Sequence, residues 1–395
     1  MNRKIHIAIP VINEEENLPT LIQCIKKQDF PDYHVSVCIN QPDSWWNDQD
    51  KKIFCENNTR TARFLQNETE IPLTVIDRFS CGKGWSGKKT GIGWARKTVL
   101  DSAAESAAPN DILISADADT LFPPDYFSKM CEEFDKYPEA GVVSIPYYHN
   151  LTGNDRVDRS MLRYEIYMRN YAINLLRSGN PYGYTALGSA IALTVYSYRK
   201  IKGITPKPAG EDFYFLQKLR KQGKIRVWSN SVVYPAARFS DRVYFGTGPA
   251  MKKIDQGLFS AYPIFHHSHF DQVSEAYRIF PELYTNDISI FRNPFLHSLD
   301  SGFNWDDIRK NCPDAIHLAR SCNEIFDGLR IFQFLRSNHD PGRNDEQTLI
   351  ENMGHWNVET PQPFSFQLSD IQLINKIRNQ LFSIEQNLQR IIIYV

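Results

Sequence analysis

The sequence carries almost no net charge: across 395 residues, 46 Asp and Glu are balanced by 45 Lys and Arg. That balance excludes a general nucleic-acid binder working through a basic surface, and it leaves no acidic tail. Long apolar runs are also missing. The longest weakly polar stretch, Thr185 to Tyr198, is too short and too rich in hydroxyls to cross a bilayer, which takes about 20 apolar residues. Met1 to Lys4 leads straight into a short strand ending at Pro10, with no apolar h-region or small-residue cleavage site, so the protein is expected not to be exported. Cysteine is scattered. The seven residues Cys24, Cys38, Cys55, Cys81, Cys131, Cys312 and Cys322 are odd in number and show no CxxC spacing, which excludes a zinc ribbon or a redox pair and predicts a reduced, cytoplasmic setting. Internal repeats and low-complexity tracts are absent as well.

What is present is an alternation of strands and helices. Ile5 to Ile9 reads as a buried strand ended by Pro10, and Asn13 to Asn17 leads into a helix with Leu18, Leu21, Ile22 and Ile25 at helical spacing. Strands are expected at His34–Ile39, Leu73–Asp77 and Ile112–Ala116, separated by helix-like Lys51–Asn67 and Ile92–Ala107. This β-α-β order predicts an α/β fold with a mostly parallel central sheet and helices on both faces. Further on, Tyr126–Tyr137 and Asp155–Arg177 read as helices and Gly141–Ile145 as a strand. Gly179 to Ala192 reads as a loop entering a strand, Phe213–Gln222 as a helix capped by Gly223, and Ile225–Val233 as a strand. Beyond about Pro249 the sheet signal fades. Helical stretches are expected near Gln272–Phe280 and Asp314–Leu335, a polar linker over Ser337–Glu346, and an amphipathic helix through Ile374, Ile377, Leu381, Ile384, Leu388 and Ile391. The expected division is therefore 1–248, an α/β domain, and 249–395, a mainly helical region.

Asp117-Ala118-Asp119 stands where the apolar strand Ile112–Ala116 stops. Side chains two apart on an extended backbone point the same way, so both carboxylates can converge on one hard cation, or on a ribose and a cation. Open α/β sheets bind ligands at such carboxyl ends. The Gly-rich segment Cys81 to Gly91 is not a P-loop, because the Walker spacing is absent.

These blocks together resemble the family 2 glycosyltransferases of the GT-A fold. The matching residues are Ile9 to Glu14 after the first strand, the Gly87-Lys88-Lys89-Thr90-Gly91 block with Arg96, Asp117-Ala118-Asp119, Gly188-Ser189 and Glu211-Asp212, spread over about residues 4 to 245. The resemblance implies a nucleotide-diphosphate sugar donor, a UDP-sugar first, and a Mn2+ or Mg2+ cofactor. It implies transfer with inversion to a saccharide, lipid-linked or small-molecule acceptor, in glycan, glycolipid or cell-surface polysaccharide synthesis. Asp119 would be the direct metal ligand, with Asp117 facing the ribose or reaching the ion through water. Asp212 would be the general base, with Glu211 as its rival. Pro10, Asn13 and Glu14 would wrap the base and ribose, and Lys88, Arg96 and Gly188 would line the donor site. Where the family commonly carries an Asp pair after the second strand, this chain has Asn40, whose amide both donates and accepts, so the base it reads is left open. Arg238 and Arg242, in a Gly-rich loop, would clamp the diphosphate. No Gln-x-x-Arg-Trp motif comes after them, which disfavours processive polymer synthesis.

Other readings stay open from the sequence. A nucleotidyltransferase would also need carboxylate-bound magnesium, and a catalytically silent sugar-nucleotide-binding scaffold would need no base. His266-His267-Ser268-His269 reads either as a further metal ligand or as a polar loop. Tyr184 could stack on an acceptor or belong to the core. The last helix packs on the protein, pairs with a second copy or lies on a membrane; its few charges favour packing. Peripheral attachment to the inner face of a membrane and a homo-oligomer both remain compatible with the sequence.

Overall fold

A computed structural model describes residues 3–87, 89–208, 210–240, 246–298, 303–361 and 363–395. Contacts group the chain into two compact units, one of Met1–Met161, Thr185–Lys252 and Tyr394, the other of Leu162–Tyr184, Lys253–Ile393 and Val395. The second unit thus takes in a segment upstream of residue 248.

The first unit is built on a seven-stranded sheet. Its strands are β1 (Ile5–Val11), β2 (Tyr33–Asn40), β3 (Leu73–Arg78), β4 (Ile112–Ser115), β6 (Ala140–Ser144), β7 (Ile191–Thr194) and β8 (Lys224–Arg226), in the order β3-β2-β1-β4-β7-β6-β8. β1 pairs in parallel with β2 on one side and β4 on the other, with Ile9 opposite Val37 and Ala8 opposite Ser115. All seven residues of β1 are buried, as a central strand covered on both faces requires. β7 runs antiparallel to both β4 and β6, so the sheet is mixed at that point and mostly parallel elsewhere. A two-stranded ribbon, β5 (Thr120–Leu121) with β9 (Tyr234–Pro235), lies beyond the end of β4.

The helices that begin in this unit are α1 (Leu18–Lys26), α2 (Lys52–Gln66), α3 (Ile92–Glu105), α4 (Tyr126–Lys136), α5 (Asp155–Arg177), α6 (Val195–Lys200), α7 (Glu211–Arg220) and α8 (Thr247–Asp255). The start of α3 is under close backbone constraint. Gly91 caps it at φ 91, and a Cβ on Gly93 would stand 2.3 Å from the Lys207 carbonyl oxygen, so both positions need glycine for the helix to start where it does. The helix then buries Ala95, Arg96, Val99 and Leu100.

The expected strand over Ile225–Val233 is only three residues long. Ser229 donates its hydroxyl to the Ser231 carbonyl at 2.9 Å and bends the chain, and Val233 pairs again only as an isolated bridge to Tyr147.

The second unit contains α9 (His267–Ile279), α10 (Trp305–Lys310), α11 (Ala315–Ile325), α12 (Gly328–Asn338), α13 (Asp345–His355) and α14 (Ile371–Ile391). The single helix expected over Asp314–Leu335 is two. Asp327 accepts from the backbone N–H groups of Leu329 and Arg330 at 3.2 and 3.3 Å, capping α12 and ending the helical run before it. Phe280, Phe295, Phe326 and Phe334 pack in its core, with ring centroids 5.0 to 5.2 Å apart at three contacts.

α14 is amphipathic as expected and packs on the protein, yet two of its charges face inward. Arg378 and Glu385 are buried with Glu165 and Arg169 of α5. Arg169 binds Glu165 at 2.6 Å and Glu385 at 2.5 Å, and Arg378 binds the other Glu165 oxygen at 3.2 Å. Two cations matched to two carboxylates make the buried group tolerable. No described helix is long and apolar enough to cross a membrane.

Candidate active site

Ser115 ends β4, and the next residue, Ala116, still donates its N–H to the Ala8 carbonyl at 3.1 Å. The chain then turns, closed by Thr120 N–H to the Asp117 carbonyl at 3.1 Å, and β5 begins. Ala116 and Ala118 point into the core, which leaves Asp117 and Asp119 half-buried at the carboxyl end of the sheet. Thr120 pairs with Pro235, and Ala236 donates to the Asp119 carbonyl at 3.1 Å. The ribbon therefore delivers the segment after β9 to the side of Asp119.

Arg96 is the hub. Reaching from α3, its guanidinium binds Asp117 Oδ1 at 2.8 Å and Glu211 Oε1 at 3.1 Å, and it donates to Ser115 Oγ at 2.7 Å and to the Gly188 carbonyl at 3.0 Å. Four of its five N–H groups are thereby given to protein acceptors. Ser115 Oγ also donates to the Gly188 carbonyl, at 2.6 Å. A Cβ on Gly188 would lie 2.6 Å from Arg96 Nη2, so a side chain there would displace the guanidinium. Burial alone would disfavour the cation; Asp117 and Glu211 outweigh that and hold Arg96 charged.

Gly210, at φ 67, caps α7 and sets Glu211 and Asp212 in its first turn. The two carboxylates have different fates. Glu211 is buried against Arg96. Asp212 is half-buried, accepts the Phe213 N–H at 2.8 Å and makes no ion pair among the described residues. Burial, then repulsion from Glu211, pushes its carboxyl up to about 7 against the pull of Arg96.

On the other side of Asp119 stands Arg238. Its Nε binds Asp119 Oδ2 at 2.9 Å, its Nη2 reaches the same oxygen, and Nη2 also binds Glu14 Oε1 at 2.6 Å. Glu14 is buried, and its second oxygen accepts from Asn17 Nδ2 at 2.7 Å. Burial raises the Asp119 carboxyl, with Arg238 pulling it down and Asp117 pushing it up.

Beside Glu14, Asn13 adopts φ 54 and donates its backbone N–H to Asn58 Oδ1 at 2.9 Å. Pro10 sits inside β1, opposite Cys38. Asn40, the last residue of β2, donates from Nδ2 to the Val11 carbonyl at 2.8 Å and accepts from Trp85 Nε1 at 3.0 Å. Trp85 is held by backbone bonds to Gln41 and Asp43, and Asp43 Oδ1 accepts the N–H groups of Gly82 and Gly84 at 2.7 and 3.3 Å. A Cβ on Gly84 would come within 2.7 Å of the Asp43 backbone, which is why this segment needs glycine. Lys88 and Arg242 lie outside the described residues.

The structure thus gathers Asp117, Glu211, Arg96 and Gly188 into one cluster, and Asp119, Glu14 and Arg238 into the one beside it. Sequence reasoning missed Ser115 and Asn17. A lone serine closing an apolar strand was the available signal for the first. The five carboxylates of Glu14, Asp117, Asp119, Glu211 and Asp212 are accompanied by the two guanidiniums of Arg96 and Arg238. An excess of hard oxygen donors, with Asp117 Oδ2 lacking a hydrogen-bond partner among the described residues, suits an oxygen-ligated divalent cation. His266 to His269 lie in the second unit, where His266 caps α9. Tyr182 and Tyr184 are buried.

Residues 112–254, from the start of β4 into α8, match the family model described as glycosyl transferase family group 2. No curated protein sequence matches the chain. Among solved structures, TarS 1-349 of S. aureus in complex with UDP-GlcNAc aligns at 14% identity over 90% of this chain and 92% of that one, with a TM-score of 0.40. The mannosyltransferase PcManGT of Pyrobaculum calidifontis, in complex with GDP-Man and Mn2+, aligns at 14% identity over 98% and 88%, with a TM-score of 0.37. The segment that contributes Asp117, Asp119, Gly188, Glu211, Asp212 and Arg238 to the site is thus the one that matches glycosyl transferase family group 2.

Proposed function

We propose that the protein transfers a sugar from a nucleotide-diphosphate donor, a UDP-sugar first, to an acceptor hydroxyl with inversion. Asp212 is the general base in this reading, and Asp119 and Asp117 hold Mn2+ or Mg2+. The observation that carries it is the division of labour between the adjacent Glu211 and Asp212. Glu211 is committed to Arg96 at 3.1 Å, whereas Asp212 has no ion pair among the described residues and a carboxyl raised to about 7. A base poised near neutral pH is matched to abstracting a hydroxyl proton as the bond forms. That contrast favours Asp212 over Glu211.

The residues on the donor side support the same reading. When bound, the cation would neutralise charge growing on the diphosphate as the glycosidic bond breaks. Arg96 keeps Asp117 aimed. Arg238 holds Asp119 and Glu14 together before the donor arrives, and its fork suits a phosphate once released from them. Asp212 then takes the acceptor proton while the acceptor oxygen attacks the anomeric carbon on the face opposite the leaving nucleoside diphosphate. The acceptor belongs to the saccharide, lipid-linked or small-molecule hydroxyl class.

The test is turnover with a panel of nucleotide sugars and acceptors, with the product anomer read by NMR. Asp212→Asn is expected to retain donor binding and lose about 100-fold or more in kcat, the range of a positioned base. Full turnover in Asp212→Asn, or a product that keeps the donor's anomeric configuration, overturns the assignment.

A further inference from the structure

The histidine run at the start of α9 has no part in the transferase reading. His267 opens that helix and Asp271 lies one turn further on, with Nδ1 of the ring 3.0 Å from the Asp271 carboxylate. α13 ends at His355, whose ring lies flat against that of His267, centroids 3.8 Å apart and planes within 5°. One nitrogen from each ring and one Asp271 oxygen lie within 4.8 Å of one another. Three atoms at that spacing share a point within about 2.8 Å of each, a short adjustment from the roughly 2.0–2.2 Å of zinc–nitrogen and zinc–oxygen bonds.

We propose that His267, Asp271 and His355 form a second cation site, taking a zinc-class divalent ion through two imidazole nitrogens and one carboxylate oxygen. That mixed set suits zinc and its transition-metal neighbours, whereas magnesium prefers oxygen alone. A histidine and an aspartate four apart on one helix form a preset chelate, and His355 supplies the third ligand from another helix. Parallel rings hold their lone pairs side by side, so entry of the ion turns one imidazole about its χ2, a broad torsion that these half-exposed and exposed side chains change at little cost. Around the set, His266 lies against His267 with ring centroids 4.1 Å apart and reaches Glu351 at 3.3 Å, one turn before His355. The bound ion clips α9 to the end of α13. The plainer alternative is an ordinary hydrogen bond between Asp271 and His267, with no affinity for metal.

The two are separated by titrating chelator-stripped full-length protein with Zn2+ by calorimetry in excess Mg2+, which saturates oxygen-only sites. Co2+ is titrated in parallel by visible absorption. One Zn2+ per chain is expected, unaffected by Asp119→Asn and weakened at least about tenfold by His267→Ala and by His355→Gln. The Co2+ ligand-field bands are lost in the same two variants. Circular dichroism of the metal-free variants matching the wild type shows that the loss is not misfolding. Absence of Zn2+ binding in the wild type, or binding that survives both histidine substitutions, overturns the proposal.

Discussion

Replacing Arg96 with Met keeps a long side chain in place and removes the guanidinium. The Arg96 side chain is 3% exposed, and two carboxylates lose their partner, Glu211 at 6% exposure and Asp117 at 35%. Ser115 Oγ and the Gly188 carbonyl lose a donor as well. Breaking a buried ion pair by deleting one member costs about 3–5 kcal/mol, because the remaining charge stays behind unpaired. The Asp117 share is small, since a group that exposed is screened by water. For a unit of this size the loss corresponds to a fall in Tm on the order of 10 °C. A second consequence appears in the pH dependence. Arg96 is one of the groups drawing Asp212 down from the value that burial and Glu211 impose. Without it, the acid limb of kcat/KM that the proposed base role assigns to Asp212 is expected to move to higher pH. Denaturant titration and a pH series on the variant measure both effects. Stability within about 1 kcal/mol of the wild type, together with an unmoved acid limb, would refute the role of Arg96 as the strut of this site.

Three further outcomes are expected. The folded-state carboxyl of Asp212 is raised from 3.8 to about 7, so the native state holds a proton that the unfolded chain releases between those values, and stability falls as pH rises through that window. Asp212→Asn should therefore be more stable than the wild type at pH 8, with the gain fading toward pH 4; a variant equally stable at both pH values contradicts this. Arg238→Gln removes a cation bonded to Asp119 and should tighten Mn2+ binding in the absence of nucleotide by about tenfold in calorimetry. Unchanged affinity would mean that Arg238 does not oppose the ion. In the second unit, Arg169→Met takes one cation from Glu385 and leaves Glu165 with Arg378, and should cost about 3–5 kcal/mol of unfolding free energy, most of it recovered when both glutamates become glutamine. A cost below about 1 kcal/mol would show that water reaches the cluster.

Much of the first unit was legible because its information is local. Ile5 to Val11, Tyr33 to Asn40 and Ile112 to Ser115 are short apolar runs flanked by helical periodicity, and the Asp117-Ala118-Asp119 turn is placed by where the third run stops. The antiparallel entry of β7 was not legible, since direction within a sheet depends on the path of Gly179 to Ala192 and not on any pattern inside Ile191 to Thr194. The break at Phe326-Asp327 hid inside a helical stripe because Asp327 caps through its side chain without interrupting the apolar spacing. Partnerships were the least visible. Arg96 reads in sequence as a cation available to phosphate, but its burial depends on Ser115, Gly188 and Glu211 arriving from three other segments. Arg238 meets Glu14 from the opposite end of the first unit's sequence. The inward charges of α14 were equally silent, because Arg378 and Glu385 need Glu165 and Arg169 beside them before burial becomes tolerable.

The most direct test of the central claim is a thermal-shift titration with UDP, GDP, CMP and dTDP, each with and without Mn2+, on the wild type, Asp119→Asn and Asp212→Asn. A ligand bound only by the folded state raises stability in proportion to the logarithm of its saturation. One nucleotide should stabilise the wild type only with Mn2+, Asp119→Asn should lose that shift, and Asp212→Asn should keep it. A shift of equal size in Asp119→Asn, or one that needs no metal in any variant, would contradict the placing of the donor and its cation on this carboxylate turn.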